Sequence, residues 1–526
     1  MLGNGSSSLV KGAFLLTLAG LISKVLSAGY RIPLQNLTGD MGFYIYQQVY
    51  PLLGMALVLA LYGFPSAISK ITAEQKASGK NLSLRNFYMP VIIILFVIMG
   101  VISGLLYISA ESLAGWVGDA GLAKSYKLAA GSLLVIPFTA LLRGVFQGNF
   151  LMKPTAYSQV GEQLARVFLI ILIAISVSDS EGSLYQIGEG AAIASLIGSL
   201  TALVILLLFT RKKKALSVTT DCFIPWTYYI RTIFLLGLVA ALNHMVLLLL
   251  QFADAFTLIP ALTEYGLAKA DAMEAKGVLD RGQPLIQLGT VLGSSFALAM
   301  IPSISRKQLK EKQDVFYQNI RSSLAIGFYL AAGATVGLIA IMPEANLLLF
   351  QDDKGTLDLQ ILVLAILLSS VSITASTILQ GMGYIKRTAL FIFITLLLKW
   401  ALNQVLVPHL GITGGALATV LSLLGLFLLV MLELKRKLPN LGLIRQIKWR
   451  TLFLATTGML AFIFLINRFI PVTETRTGAL IYVLFVVVTG ACVYLIILFR
   501  GRAFTAKEIS MLPFSKLWMR MYKERK

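Results

Sequence analysis

The chain has 526 residues, 57% of them hydrophobic and only 13% charged, about half the ~25% charged residues of soluble domains, and its mean hydropathy is +0.82. So little polar surface could not cover a soluble core of this size, which excludes the water-soluble globular, disordered and fibrous classes. The net charge of +21 would suggest nucleic acid in a soluble protein; in a membrane protein it is loop charge that sets topology and meets anionic lipid, and no nucleic-acid partner is expected.

Apolar runs of ~20 residues predict an all-α polytopic membrane protein of about fourteen transmembrane helices. In chain order they are Leu9–Ile32, Phe43–Ser69, Phe87–Ser109, Leu128–Phe146, Tyr157–Val177, Ile187–Phe209 and Arg231–Thr257, then Pro284–Ile304, Tyr317–Met342, Leu357–Gln380, Thr388–Val407, Ile412–Leu434, Thr451–Phe469 and Ala479–Phe499. The first run carries Lys11 and Lys24 and lacks a small-residue cleavage site, so it reads as a retained span rather than a signal peptide. Thirty Lys and Arg residues fall in the N-terminal segment, the loops after even spans and the C-terminal tail, against eight in the loops after odd spans. This asymmetry predicts a multi-pass membrane protein with both termini cytoplasmic.

The halves resemble each other. Span two ends in Phe64–Lys70 (FPSAISK) and span eight in Ile301–Lys307 (IPSISRK). Span four leads into Gln147-Gly148, Lys153 and Thr155; span ten leads into Gln380-Gly381, Lys386 and Thr388, an offset of 233 that also pairs Arg166 with Lys399. Spans six and twelve share Gly190–Ser195 (GAAIAS) and Gly414–Thr419 (GGALAT). The expected organisation is therefore an N-terminal lobe (1–214), a C-terminal lobe (215–437) and a terminal helix pair with a basic tail (438–526). The two six-helix lobes would be pseudo-symmetric about an axis along the membrane normal and would enclose a central cavity.

Charges inside the membrane carry the functional information, because each costs about 2.5–3.5 kcal/mol even on a lenient scale. In span one, Ala13, Thr17, Gly20, Lys24, Ser27 and Arg31 recur at spacings of four and three on one face, while Phe14, Leu15, Leu18, Leu21, Ile22 and Val25 occupy the others. Such a stripe should line a cavity. Glu162 and Arg166 lie four apart on span five and can pair along the helix. Span seven carries Asn243, His244, Gln251 and Asp254; Asp280-Arg281 precede span eight; Lys399 and Asn403 share a face of span eleven. Arg143 and Arg321 lie nearer predicted span ends and read as interfacial, and Tyr44, Tyr46 and Tyr50 read as an interfacial aromatic belt. The inner cations Lys24, Arg31, Arg166, Arg281 and Lys399 outnumber the inner anions Glu162, Asp254 and Asp280. A net positive cavity favours a phosphate or diphosphate headgroup, on a soluble or a lipid-linked anion, and disfavours lipophilic cations.

No metal site, disulfide framework or enzyme motif is present: the two cysteines, Cys222 and Cys492, are far apart, only His244 and His409 occur, and HExxH, GxSxG and Walker A patterns are absent. No cofactor and no enzyme activity are expected.

Three segments carry a family resemblance: Lys11–Leu34 (KGAFLLTLAGLISKVLSAGYRIPL), Gly63–Lys70 (GFPSAISK) and Gly277–Ser305, which contains DRGQP. They resemble the MurJ/SpoVB-type polysaccharide transporters of the multidrug/oligosaccharidyl-lipid/polysaccharide flippase superfamily. The resemblance implies a flippase for an undecaprenyl-diphosphate-linked oligosaccharide, above all the peptidoglycan precursor lipid II, working as a monomer among membrane lipids and with cell-wall synthesis machinery as a partner. It places diphosphate-binding cations at Lys24 and Arg281, with Arg31 near a second span-one position; the arginine that proteobacterial members carry on span two has no counterpart in Phe43–Ser69. The alternatives are export of another lipid-linked envelope glycan, a cation-coupled multidrug antiporter, which would be expected to show carboxylates dominating the cavity, and a non-transporting scaffold. Driving energy would come from membrane potential or from H+ or Na+ coupling, with Asp254, Glu162, Asp280, Gln251 and Asn403 as the polar candidates.

Overall fold

In hydrocarbon every backbone polar group must be satisfied within the protein, so apolar runs of this length become helices. The computed structural model describes residues 3–78, 84–179, 182–213, 225–299, 313–469, 476–505 and 508–509, and these contain helices and no strand. The chain begins with α1 (Gly3–Gly29), α2 (Arg31–Val58), a π-helical turn (Leu59–Gly63) and α3 (Phe64–Ala77). Next come α4 (Met89–Ile108), α5 (Ala110–Val117), α6 (Ala123–Leu133), α7 (Ile136–Gly148), α8 (Met152–Ser178) and α9 (Gln186–Lys213). They are followed by α10 (Trp226–Thr232), α11 (Val239–Glu264), α12 (Lys269–Asp280), α13 (Gly282–Ala299), α14 (Gln313–Ala340) and α15 (Met342–Phe350). The last are α16 (Thr356–Gly381), α17 (Ile385–Leu410), α18 (Ile412–Lys437), α19 (Leu443–Gln446), α20 (Trp449–Phe469) and α21 (Arg476–Arg500).

Among the described residues twelve segments are long and apolar enough to cross a membrane; the first, Phe14–Ala77, runs for 64 residues and covers the ground of two expected spans. At 1.5 Å per residue a straight helix of that length would be about three bilayers long. Gly39 breaks it: its φ of 66° and ψ of −175° lie in a region essentially reserved for glycine. Proline explains two further breaks. Expected span four is interrupted between α6 and α7, where Pro137 stands in the first turn of α7, and expected span nine stops at α14, with Pro343 opening α15. Several expected loops contain helix, among them α5, α15 and α12, the last packed on α2. The Ile301–Lys307 motif lies outside the described residues, as does Cys222; Cys492 is exposed.

The chain forms two compact units, residues 1–280 and 281–526. In the first, α11 and α12 pack on α2, α3 on α7, and α1 on α8. Gly277 is where α12 touches α2: a Cβ built there would stand 2.1 Å from the Asp40 carbonyl oxygen, so any side chain would force the helices apart. In the second, α13, α14 and α16 pack together, and the pair α20–α21 rests on α14 and α15. The Tyr494 hydroxyl donates to the Tyr329 carbonyl (2.7 Å), and the Lys448 N–H to the Tyr329 hydroxyl (2.9 Å).

The internal repeat extends to backbone geometry. After α7, Phe150 takes a left-handed φ of 60°; after α16, at an offset of 233, Gly383 takes a φ of 89°. Both turns carry the same two closing bonds: Phe150 N–H to Gln147 O (2.9 Å) with Leu151 N–H to Phe146 O (2.8 Å), and Gly383 N–H to Gln380 O (2.8 Å) with Tyr384 N–H to Leu379 O (2.9 Å). Both helices thus end in the same left-handed cap.

Candidate functional site

Toward its C-terminal end the polar stripe of α1 turns to protein, with Gly20 and Lys24 half-buried and Ser27 buried, whereas Thr17 is exposed; on the apolar sides Phe14, Leu18, Ile22 and Val25 lie on the outside. Along the stripe, Gly20 lies against the Tyr62 hydroxyl and the Gln159 amide, and the Gln159 amide donates to the Tyr62 hydroxyl at 3.3 Å. Lys24 is half-buried and within electrostatic reach of His244 on α11, whose exposed ring stacks on Tyr62 at 4.5 Å. Ser27 is 3.4 Å from the Tyr50 hydroxyl. The side chain of Ala13 lies outside the described residues.

Arg31 opens α2 and is fully buried. None of its three guanidinium nitrogens has a hydrogen-bond partner among the described residues; the group lies on the face of Tyr50, 3.8 Å from the ring centre, with the phenols of Tyr30 and Tyr46 close by. Asp280 is within reach of its charge, but that carboxylate is bonded to Lys276 at 2.6 Å. An aromatic face offsets only ~0.5–2 kcal/mol of a cation's desolvation, whereas burying a charge costs several kcal/mol.

The other expected cations are engaged. Arg143, fully buried rather than interfacial, donates from Nε to Ser158 Oγ (3.1 Å), from Nη1 to the Ala60 carbonyl (3.2 Å) and from Nη2 to Glu162 Oε2 (2.7 Å). Glu162 Oε1 accepts from Arg166 Nη2 at 3.2 Å. The expected Glu162–Arg166 pair is thus one side of a buried triad that ties α7 to α8; Arg143 read as interfacial because it lies near the expected end of span four, Phe146. Lys399 is fully buried and ties α17 to α18, donating to the Gly415 carbonyl (3.0 Å) and Thr419 Oγ1 (2.7 Å). Asn403 is buried one turn along, and Gln251 and Asp254 are buried on α11. Arg321 is half-buried at the start of α14, where it donates to the carbonyls of Leu441 (2.6 Å) and Asn440.

The tyrosines are not an interfacial belt. Tyr44 and Tyr46 are fully buried; Tyr44 donates to Asp119 Oδ2 (3.1 Å), Tyr185 to Asp119 Oδ1 (2.7 Å), and Tyr46 bonds Tyr30. Asp119 is a buried anion that the sequence reading missed; its place just after the α5 cap, Gly118, was the available signal. Lys276, counted as loop charge, is also buried, because α12 is a packed helix and not a loop.

In the second unit, Arg281 opens α13. It is fully buried and lays both terminal nitrogens on the carboxylate of Asp352, Nη2 to Oδ2 at 2.9 Å and Nη1 to Oδ1; the Phe350 ring centre is 5.3 Å away. Burial pushes the Asp352 carboxyl up, but the Arg281 hydrogen bonds and charge outweigh it and hold the group below the usual carboxylate range. This acid, in the short connection from α15 to α16, was also missed.

With this geometry in hand, similarity to known proteins can be judged. Residues 9–308 match the family described as "Polysaccharide biosynthesis protein". The chain belongs to that family. It is 37% identical to "Uncharacterized membrane protein YabM" of Bacillus subtilis, over 96% of this chain and 95% of that one. It is 27% identical to "Lipid II flippase MurJ" of the same organism, over 82% of this chain and 83% of the relative, and 24% identical to that organism's "Stage V sporulation protein B", over 82% and 84%. Its fold matches a lipid II flippase MurJ structure in an inward closed conformation (TM-score 0.65, 16% identity, 93% of this chain and 97% of that one). It also matches an inward-facing MATE-family multidrug transporter of the MOP superfamily (TM-score 0.58, 16% identity, 81% and 95%). The chain is a multi-span membrane protein of that family and shares the fold of these two transporter structures.

Proposed function

We propose that this family member flips an undecaprenyl-diphosphate-linked oligosaccharide, lipid II above all, across the cytoplasmic membrane by alternating access. The observation that carries this reading is Arg31: fully buried on the face of Tyr50, among phenols, with no carboxylate bonded to it among the described residues, and at helical spacing from Lys24. A guanidinium in this state matches the paired oxygens of a diphosphate, and the aromatic and polar groups around it suit a headgroup that moves on. Following the family resemblance, Lys24, Arg31 and Arg281 are the cations that engage the diphosphate, while the polyprenyl tail stays in lipid. Binding favours one arrangement of the protein and release the other. Both termini are cytoplasmic on the charge asymmetry. Membrane potential or H+ or Na+ coupling supplies the energy, with buried Asp254, Gln251, Asp280, Glu162 and Asn403 as the ion-sensitive groups. The chain works as a monomer in contact with membrane lipids and the cell-wall synthesis machinery. The family description and the first relative, a membrane protein of unassigned substrate, support a second reading of the same chemistry: another lipid-linked envelope glycan.

The test is rescue of cells depleted of their own lipid II flippase. The unmutated chain should rescue; Lys24→Ala and Arg281→Ala should not, at equal membrane levels. Full rescue by both variants would overturn the cationic-site reading. Failure of the unmutated chain at normal expression would move the substrate to another glycan.

A further inference from the structure

Arg281 differs from Arg31 in already holding an anion, and the way it holds it is asymmetric. The guanidinium is sealed in the protein, whereas the carboxylate on it is reachable: the Asp352 side chain is 33% exposed and that of Arg281 0%. Asp352 is presented by a braced connection. Gln351 ends α15 in the left-handed region (φ 67°), Asp352 Oδ1 accepts the Lys354 N–H at 3.0 Å, and the Asn346 amide donates to the Lys354 carbonyl (2.9 Å) and to Thr356 Oγ1 (3.0 Å). An arriving anion therefore exchanges with the carboxylate and leaves the arginine where it is.

We propose that Asp352 is a selectivity residue: an internal anion that holds the Arg281 fork against singly charged phosphodiesters and yields it to a diphosphate. A carboxylate and a phosphodiester each bring one negative charge and two oxygens to a guanidinium, so the tethered group wins against the free one on proximity. A diphosphate brings more charge and more acceptor oxygens, and displaces it. In a membrane rich in anionic phospholipid this discrimination matters at Arg281, whose bidentate fork fits the two oxygens of a phosphodiester as well as those of a carboxylate. The inference rests on the diphosphate reading above and adds a residue that excludes competitors.

The experiment uses the full-length chain in detergent, with fluorescent farnesyl diphosphate as probe and dioctanoyl phosphatidylglycerol as competitor. The wild-type protein should bind the probe and resist the competitor. In Asp352→Asn the competitor should displace the probe ~10-fold more effectively or better, the scale of one charged hydrogen-bonded contact; Asp353→Asn, which removes the neighbouring charge, should keep the wild-type ratio. A wild-type ratio in Asp352→Asn, or an equal loss of both ligands, would mean that Asp352 only braces Arg281, and would overturn the proposal. If the Asn variant does not yield monodisperse protein, Asp352→Glu decides: it keeps the charge and should keep the ratio, and a ratio that collapses in it sinks the idea. Wild-type protein that binds no farnesyl diphosphate defeats the diphosphate reading itself, and this inference with it.

Discussion

Arg31 and Arg143 belong to one compact unit and are equally buried, yet their surroundings are opposites. Arg143 spends its donors on Ser158, the Ala60 carbonyl and Glu162; Arg31 lies on a tyrosine face among phenols, with no carboxylate bonded to it among the described residues. Depth in the membrane therefore does not by itself tell a structural cation from one open to a ligand. What differs between these two is how completely the fold has satisfied the guanidinium.

The largest effect should come from breaking the satisfied side. Arg143→Ala should lower stability by ~3–5 kcal/mol, the usual cost of removing one partner of a buried ion pair, read as a fall in detergent melting temperature and membrane yield. Arg31→Gln should do the reverse: transport is lost in the rescue assay while the melting temperature holds or rises, because an uncompensated charge has been removed. A large melting loss in Arg31→Gln would erase the contrast. Between these lies Lys399→Met, expected to cost about 1–3 kcal/mol, since Thr419 still caps the Gly415 carbonyl at 3.0 Å. Tyr44→Phe should cost least, ~0.5–1.5 kcal/mol, because Asp119 retains Tyr185 and the Gly121 N–H.

The Arg281–Asp352 pair extends the comparison to pH. The folded-state pKa of Asp352 is depressed, so its stabilising contribution is complete above the unfolded value of ~3.9 and disappears only as pH falls through the lower folded one. Between pH ~5 and ~8 the phosphatidylglycerol exclusion assigned to Asp352 should stay flat. A slope across that window, absent from Asp352→Asn, would show that the pair titrates where it should not.

Much of the site was legible because charge in a membrane is rare enough to notice: the stripe of α1, the Glu162–Arg166 spacing and the match of Arg166 to Lys399 all follow from helical periodicity. Asp119, Asp352 and Lys276 escaped because each lies in a segment read as a loop, where a charge is ordinary. They matter through contacts 71 or 75 positions away along the chain, or through a helix face packed on α2. Tyr44 and Tyr46 were misread for a related reason. Aromatic residues near a span end usually mark the membrane surface; here Tyr44 meets Lys276 of α12 and the Asp119 turn, and Tyr46 meets Tyr30 and Tyr50.

Composition and periodicity by themselves determined that the chain is a bundle of membrane-spanning helices, that it is internally repeated, and that a handful of cations lie where lipid would reject them. These follow from local physics: hydrophobic length, side-chain spacing and the cost of a charge in hydrocarbon. Tertiary structure alone decided which of those cations are spoken for. A guanidinium is neutralised by whatever acceptor the fold brings within about 3 Å, and no pattern along the sequence specifies that Glu162 reaches Arg143, that Asp352 reaches Arg281, or that Arg31 meets tyrosines.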